Sequence, residues 1–152
     1  MFYEKWLHSK NFRKEKYLYN YWFSKYNIAR TGTAIICESP GNVWAYEMAG
    51  IKNSVAIMGL NMSKTQRQLL QKAGAVTLIL TFDNDEKRRG QDAAEKLSEE
   101  LNHYFRVINI SIKEAKDIAE MSSDQIRESI GNVLRDSSKQ FLLEDTLECI
   151  NN

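Results

Sequence analysis

The chain has few of the residues that anchor metals or cross-links in small proteins. Its 152 residues include only 2 Cys and 2 His. Cys37 falls within a predicted buried strand and Cys149 near the carboxyl terminus, so they are too few and too badly placed for a zinc site or a disulfide framework. We therefore expect no zinc, and the cytosol is the default compartment.

Long apolar runs are missing as well. No run approaches the roughly 20 residues needed to span a membrane, and Lys and Glu interrupt the segment where a signal peptide would have its apolar core. The net charge is only +1, so the charge of the whole chain does not indicate a class of binding partner. With 43% hydrophobic and 27% charged residues, the composition is that of one ordinary globular domain.

Positive charge and aromatic side chains are concentrated at the amino terminus. Residues 1–30 hold seven Lys or Arg against two Glu, a net charge of +5, and ten of the sixteen aromatic residues. Such a mixture is typical of surfaces that bind single-stranded nucleic acid, and Lys14, Lys16 and Lys25 are the candidate contacts. For the aromatic side chains we favour the structural alternative, in which most of them pack onto the domain.

After residue 30, short apolar runs alternate with helical patterns. Strands are predicted at 33–37, 54–58, 75–81 and 105–111, and helices at about 15–26, 42–49, 63–73, 88–102, 123–135 and 139–149. Two helix starts, at Ser63 and Ser122, have Gln three residues on, which is the capping-box pattern. The alternation predicts an α/β fold with a mainly parallel sheet of about four strands flanked by helices.

Acidic side chains follow two of the predicted strands. One apolar run closes with Asp83 and Asp85, whose carboxylates share a face because they are residues i and i+2. The first strand stops at Glu38, before a Pro-Gly turn. Ligands bind outside the carboxyl ends of strands in open α/β sheets, so we expect these carboxylates to meet and to hold a divalent metal. The alternative for each is a solvated or helix-capping acid.

The order of these segments resembles the TOPRIM domain, and within it the DnaG-type primases of bacteria and phages. Ile35-Ile-Cys-Glu-Ser-Pro-Gly-Asn-Val43 is similar to the family's Glu-Gly-x-x-Asp strand end, and residues 47–59 to its second, glycine-ended segment. Leu80-Thr-Phe-Asp-Asn-Asp85, with Gly90 beyond it, is similar to the family's Asp-x-Asp segment. Asp117 stands at the place of its late acidic turn.

An upstream segment favours primases over the topoisomerases and nucleases of this superfamily. Lys14-Glu-Lys-Tyr-Leu-Tyr-Asn20 is similar to a segment that primases carry just before this domain. The resemblance therefore divides the chain into a lead-in at 1–30, a remnant of the primase basic subdomain, a TOPRIM domain at 31–121 and a helical segment at 122–152.

The resemblance implies metal-dependent nucleotidyl transfer by a DNA-directed RNA polymerase that makes RNA primers from ribonucleoside triphosphates on a single-stranded DNA template. Mg²⁺ or Mn²⁺ would be held by Asp83, Asp85 and Asp117, with Glu38 as general base or further ligand. Nucleotide or nucleic-acid contacts fall to Lys14, Lys16, Lys25, Asn42, Lys87, Arg88 and Arg89. A replicative helicase or a separate amino-terminal primase part are the further partners implied.

Departures from the family pattern leave alternatives open. Asn42 replaces an acidic residue, two residues are inserted before Gly90, and the late turn keeps only Asp117, with Glu120 as a substitute. The zinc-ribbon module and most of the basic subdomain are missing. We therefore expect a fragment or one half of a split enzyme, in bacterial cytoplasm or in host cytoplasm if a phage encodes it. The alternatives are a metal-dependent TOPRIM nuclease and a catalytically silent module that binds nucleic acid or a replication partner.

Overall fold

The structure is a computed structural model that describes residues 8–84, 88–111, 115 and 117–151. Within these residues, four strands alternate with helices and two short 3-10 turns. The strands are β1 (Thr33–Cys37), β2 (Ser54–Ala56), β3 (Thr77–Leu80) and β4 (Arg106–Asn109). The helices are α1 (Tyr21–Thr31), α2 (Pro40–Met48), α3 (Lys64–Lys72), α4 (Arg89–Leu101) and α5 (Ser123–Asn151), and the 3-10 turns are Lys14–Lys16 and Ile118–Glu120.

The strands form one parallel sheet in the order β2-β1-β3-β4. Ile36 of β1 lies between Val55 of β2 and Leu80 of β3, so the central strands β1 and β3 stay paired up to the last residue of β3. Every residue of β1, β2 and β3 is buried, as expected where helices cover both faces of a parallel sheet. The predicted α/β fold with a four-stranded parallel sheet is confirmed.

Two apolar cores lie on opposite faces of the sheet. One contains Ile28, Leu70 and Leu97, from α1, α3 and α4, against Leu78 and Leu80. The other contains Val43, Tyr46 and Ile126, from α2 and α5, against Ile35 and Ile79. Successive strand residues point to opposite faces, so each strand contributes to both cores.

The helix predicted at 15–26 is wrong in its first half. Tyr19 instead pairs in antiparallel fashion with Ala56, with N–H to O distances of 3.0 and 3.2 Å, and covers the outer edge of β2. Asn20, with a left-handed φ of 68°, then turns the chain into α1. An open strand edge leaves unpaired backbone groups, and this long-range pairing outweighs the local helical pattern.

The expected packing of the lead-in aromatics is also wrong for α1. Trp22, Phe23 and Tyr26 are 67%, 75% and 70% exposed. The helix buries only a narrow stripe, Ser24 and Ile28, because these residues one turn apart occupy the single face that meets the sheet.

The carboxyl-terminal segment is one helix, α5, and not the two that we predicted. Residues 136–138 contain neither Pro nor Gly. The two serines among them cost a helix only about a few tenths of a kcal/mol each. Ser137 is buried against the domain, so packing offsets this weak local preference. No helix in the described part of the chain combines the length and apolar character needed to cross a membrane.

Both predicted capping boxes form. In the first, Ser63 N–H donates to Gln66 Oε1 at 2.9 Å, and Gln66 N–H donates to Ser63 Oγ at 3.0 Å. In the second, Ser122 N–H donates to Gln125 Oε1 at 2.8 Å, and Gln125 N–H donates back at 3.3 Å. Each box satisfies amide donors that the first turn of a helix leaves without partners.

Gln66 also ties the lead-in to the sheet. Its Nε2 group donates to the carbonyls of Lys14, Tyr17 and Ile57 at 3.2, 2.8 and 3.1 Å, and the residue is only 1% exposed. The two hydrogens of this one amide group are therefore shared among three backbone acceptors from two segments of the chain.

Replacing Gln66 by Leu should lower the free energy of unfolding by about 2–4 kcal/mol, because buried carbonyls lose their donor. Urea unfolding followed by circular dichroism measures the effect, and Gln71→Leu, at an exposed position of the same helix, is the matched control. Equal stability of the two variants would show that the lead-in is held by other contacts.

Candidate active site

Acidic residues follow two neighbouring strands at the carboxyl edge of the sheet. Glu38 comes directly after β1, and Asp83 comes three residues after β3. The two strands are neighbours, and their pairing continues past β3 with a 3.1 Å hydrogen bond from Thr81 N–H to the carbonyl of Ile36. Both carboxylate residues are half-buried. The parallel pairing of β1 and β3 thus brings the two strand exits together.

Asn42 bridges the two strand exits. Its Oδ1 accepts hydrogen bonds from Ser39 N–H at 3.1 Å and from Ser39 Oγ at 2.6 Å, and its Nδ2 donates to Asp83 Oδ1 at 3.3 Å. The side chain is only 1% exposed. Because both ends of the amide are engaged, the geometry suits Asn42 to positioning Asp83, and its direct contact with a nucleotide stays a prediction.

Neutral polar groups form the floor beneath Asp83. Burial raises the pKa of the Cys37 thiol, with a smaller contribution from the negative charge of Asp83, and Thr81 Oγ1 lies 3.9 Å from Cys37 Sγ. Burial likewise raises the pKa of Tyr46, which stays a neutral phenol. The thiol, the hydroxyl and the phenol therefore add no charge of their own beneath Asp83.

The start of α4 packs against the Asp83 backbone. A Cβ atom on Gly90 would lie 2.1 Å from the Asp83 carbonyl oxygen, far inside any real contact distance. Only glycine permits this approach. The contact fixes the backbone of the acidic loop against the helix that follows it.

The amino end of α4 neutralises part of its own positive charge. Arg88, whose φ is 55°, lies 3.7 Å from Asp92 and 3.5 Å from Glu95, and all three side chains are about two-thirds exposed. Exposed pairs of this kind contribute little to stability. Arg89 begins the helix beside them. The predicted site residues Asp85 and Lys87 lie outside the described residues.

Asp117 carries an oxygen that is suited to a cation. It precedes the 3-10 turn Ile118–Glu120, and within the described part of the chain its buried Oδ1 has no hydrogen-bond partner. Ile118 is buried in the same apolar cluster as Cys37 and Val43, which places Asp117 on the α2 side of the sheet. A buried oxygen without a donor fits a divalent metal, because metal coordination replaces the missing hydrogen bond.

Lys14 reaches the same edge of the sheet. Its Nζ would lie 3.3 Å from a Cβ on Gly59, and the Gly59 N–H donates to the Glu38 carbonyl at 3.1 Å. Lys14 and Gly59 line a cleft of about 260 Å³ next to β2. The ammonium group is therefore placed to meet an anion at this edge, whereas Lys16 lines a separate surface cleft with Tyr17.

Some parts of the site were missed in the sequence. The donor role of Asn42 and the anchoring role of Gln66 depend on contacts 41 to 52 residues apart in the chain. No local pattern carries such information.

Among the described residues there is no cluster of three or more His, Cys, Asp or Glu side chains that would hold a metal by itself.

Changing Gly90 to Ala should destabilise the protein and displace the Asp83 loop, because the added methyl group collides with the backbone. The matched control is Gly131→Ala in α5, where the nearest atom is a flexible Arg135 nitrogen at 3.6 Å. That control should gain about 0.5–1 kcal/mol, as is usual for glycine in a helix. Thermal unfolding of both variants is the measurement, and a stable Gly90→Ala protein would contradict the close packing.

The chain is similar to DNA primases along most of its length. A family model described as Toprim-like matches residues 35–122. The DNA primase of Helicobacter pylori is 30% identical over 152 residues, covering 92% of this chain and 27% of the relative. The DNA primase of Campylobacter jejuni is 35% identical over 75 residues, covering 49% of this chain and 12% of the relative. The chain thus spans about a quarter or less of these curated relatives.

Solved structures show the same fold. The Aquifex aeolicus primase, with its zinc-binding and RNA polymerase domains, gives a TM-score of 0.65 at 23% identity over 83% of this chain and 32% of that one. A DnaG primase catalytic domain bound to single-stranded DNA gives 0.64 at 22% identity over 88% of this chain and 42% of that one. The architecture described above is therefore that of primase catalytic cores.

Proposed function

Because the chain belongs to the Toprim-like family, we propose that it performs the nucleotidyl transfer of a DNA primase, joining ribonucleotides into short primers on a single-stranded DNA template. The TOPRIM resemblance of the DnaG type is confirmed by the family match and by the primase folds. One observation carries the proposal: Glu38 and Asp83 leave neighbouring parallel strands, and Asn42 holds Asp83 in place between them.

A divalent metal, Mg²⁺ or Mn²⁺, fits the donors at this edge. Asp83 and Asp117 supply carboxylate oxygens, Asp85 adds a third, and hard oxygen ligands are those that these ions prefer. The unpartnered Oδ1 of Asp117 supports this assignment. When bound, the ion would offset the negative charge of the triphosphate during transfer.

Glu38 is proposed as the group that accepts the proton of the primer 3′-hydroxyl. It is half-buried at the end of β1 and lies on the same edge as Asp83. A carboxylate that shares a site with other carboxylates holds a proton more readily, which suits a general base. Attack by the resulting alkoxide on the α-phosphorus forms the new phosphodiester and releases pyrophosphate.

Basic side chains around the edge are proposed to bind the nucleotide phosphates. Lys14 is best placed for this, since its ammonium group lies beside Gly59 at the end of β2. Arg88 caps α4 and Arg89 begins it, next to Asp83, and Lys87 precedes them in sequence. Charge-assisted hydrogen bonds to phosphate oxygens are the strongest contacts that these groups make.

The wider setting follows the relatives and stays part of the proposal. Residues 31–121 are taken as the TOPRIM domain, with the lead-in and the carboxyl-terminal segment flanking it. The substrates are ribonucleoside triphosphates, the partners a replicative helicase or further primase parts, and the compartment the bacterial cytoplasm. The nuclease and the silent module are less favoured, because the matched curated relatives are DNA primases.

Asp83→Asn and Asp85→Asn should each abolish primer synthesis with little change in fold. We expect a loss of more than about 100-fold, since even an outer partner of a metal site is worth 10–100-fold. The measurement is the yield of labelled RNA on single-stranded DNA with Mg²⁺ or Mn²⁺, resolved on a sequencing gel. Asp92→Asn, at an exposed residue paired with Arg88, should keep normal yield. Normal primer yield from Asp83→Asn refutes the site, and shortened DNA from the native chain would make it a nuclease.

Asn42→Asp should make stability depend on Mg²⁺. The new carboxylate faces Asp83, whose Oδ1 lies 3.3 Å from the present amide. Repulsion should then lower the melting temperature by about 2–4 °C per kcal/mol lost, and Mg²⁺ should restore more stability to the variant than to the native chain. Asn53→Asp is the control, because Asn53 donates to the Thr33 carbonyl at the other end of the sheet. Equal Mg²⁺ effects on both variants would place the metal elsewhere.

A further inference from the structure

An aromatic stripe on α1 faces solvent beside a lysine. Trp22 and Tyr26 are one helical turn apart and therefore share a face, and Arg30 continues that face one turn further. The ammonium group of Lys25 lies 3.6 Å from the Trp22 ring centre and 5.0 Å from that of Tyr26. From Trp22 to Arg30 the stripe is about 12 Å long, at 1.5 Å per residue. Contiguous exposed apolar surface, unlike single exposed side chains, is typical of binding sites.

The stripe leads into a basic cleft of about 440 Å³. Arg30 lines the cleft at the end of α1, Lys52 lines it from the loop before β2, and Arg135 and Lys139 line it from α5. Glu47 pairs with Lys52 at the rim. Within the described part of the chain, Arg30 and Arg135 donate hydrogen bonds to the neutral amides of Asn27 and Asn132. The cleft therefore retains an excess of positive charge.

The cleft is remote from the candidate active site. Thr31, which lines it, comes just before β1, and Asn53 comes just before β2. Both strands are parallel, so the cleft lies at their amino ends. The acidic groups lie at the carboxyl ends, about 17 Å away along a strand of five residues.

We propose that the α1 stripe and the basic cleft together bind single-stranded nucleic acid, with bases stacked on Trp22 and Tyr26 and phosphates held by Lys25, Arg30 and Arg135. Aromatic platforms combined with a positive groove are the usual means of holding single strands. The surface favours this partner because it combines exposed rings with positive charge, and α1 has no acidic residue.

This inference deepens the proposed function, on which the choice of partner rests. A single strand of nucleic acid bound to the α1 stripe and the basic cleft would extend past the catalytic edge by the length of the sheet. The stripe would then serve as a second contact for template or product, separate from the residues that carry out the transfer.

The first test measures binding of a fluorescently labelled oligothymidylate to the full chain, with EDTA present and nucleotides absent. Trp22→Ala combined with Tyr26→Ala should weaken binding by about tenfold or more, because stacking on each ring is lost. The control is Tyr104→Ala, an exposed aromatic that lies beneath Arg67 at 3.8 Å on another surface. It should bind as the native chain does.

The second test measures the salt dependence of the same binding. Arg30→Gln combined with Arg135→Gln should reduce the slope of log affinity against log salt by about 1.4, at roughly 0.7 per phosphate contact on a single strand. Native affinity and slope in both double variants would overturn the inference. So would a change confined to self-association of the chain, because the surface would then bind protein.

The outcomes separate the two proposals. Asp83→Asn should bind the oligothymidylate normally while making no primers. If the native chain makes no primers but loses affinity on removal of Trp22 and Tyr26, the proposed function fails and this inference stands. If the native chain makes primers and the aromatic variants bind normally, the proposed function stands and this inference fails.

Discussion

The hydrogen bond from Asn42 Nδ2 to Asp83 Oδ1 joins the exits of two neighbouring strands, and the geometry of the acidic edge depends on it. Asn42 is itself fixed by Ser39, which lies two residues after β1. Ser39 and Asp83 are therefore linked through a single buried amide. Gly90 completes the constraint from the other side, since the start of α4 presses on the Asp83 backbone.

An amide at position 42 changes the character of this edge. An acid there, as in the TOPRIM pattern, would place two negative groups about 3 Å apart and would need a cation to hold them together. The amide donor attracts Asp83, so this side chain is held in place before any ion arrives. The consequence is one charge fewer for the metal. Asp83 is thus positioned by a neutral amide, at the expense of one carboxylate that a metal site would otherwise use.

Much of the fold was legible in the sequence because its signals are local. The bounds of β1 were predicted to the residue, and both capping boxes form as expected, since each depends on side chains three residues apart. The placement of Glu38 and Asp83 after neighbouring strands followed from the predicted parallel order of those strands. The pairing of Tyr19 with β2 could not be predicted from the sequence, because the open edge of a strand can pair with any segment that reaches it. The exposure of Trp22 and Tyr26 was likewise hidden, since composition counts aromatic residues and does not say which face of a helix they occupy.

The lead-in connects the two ends of the sheet. Gln66 holds its first turn beside α3, where Lys14 reaches the carboxyl edge. Tyr19 then covers β2, and α1 runs back along the sheet until Arg30 meets the cleft at the amino ends. A segment with a net charge of +5 is therefore divided between an edge that suits nucleotide phosphates and a surface that suits a single strand. Since both are anchored to one rigid sheet, a strand bound along α1 would keep a fixed distance and direction to the acidic groups, which is what positioning a template requires.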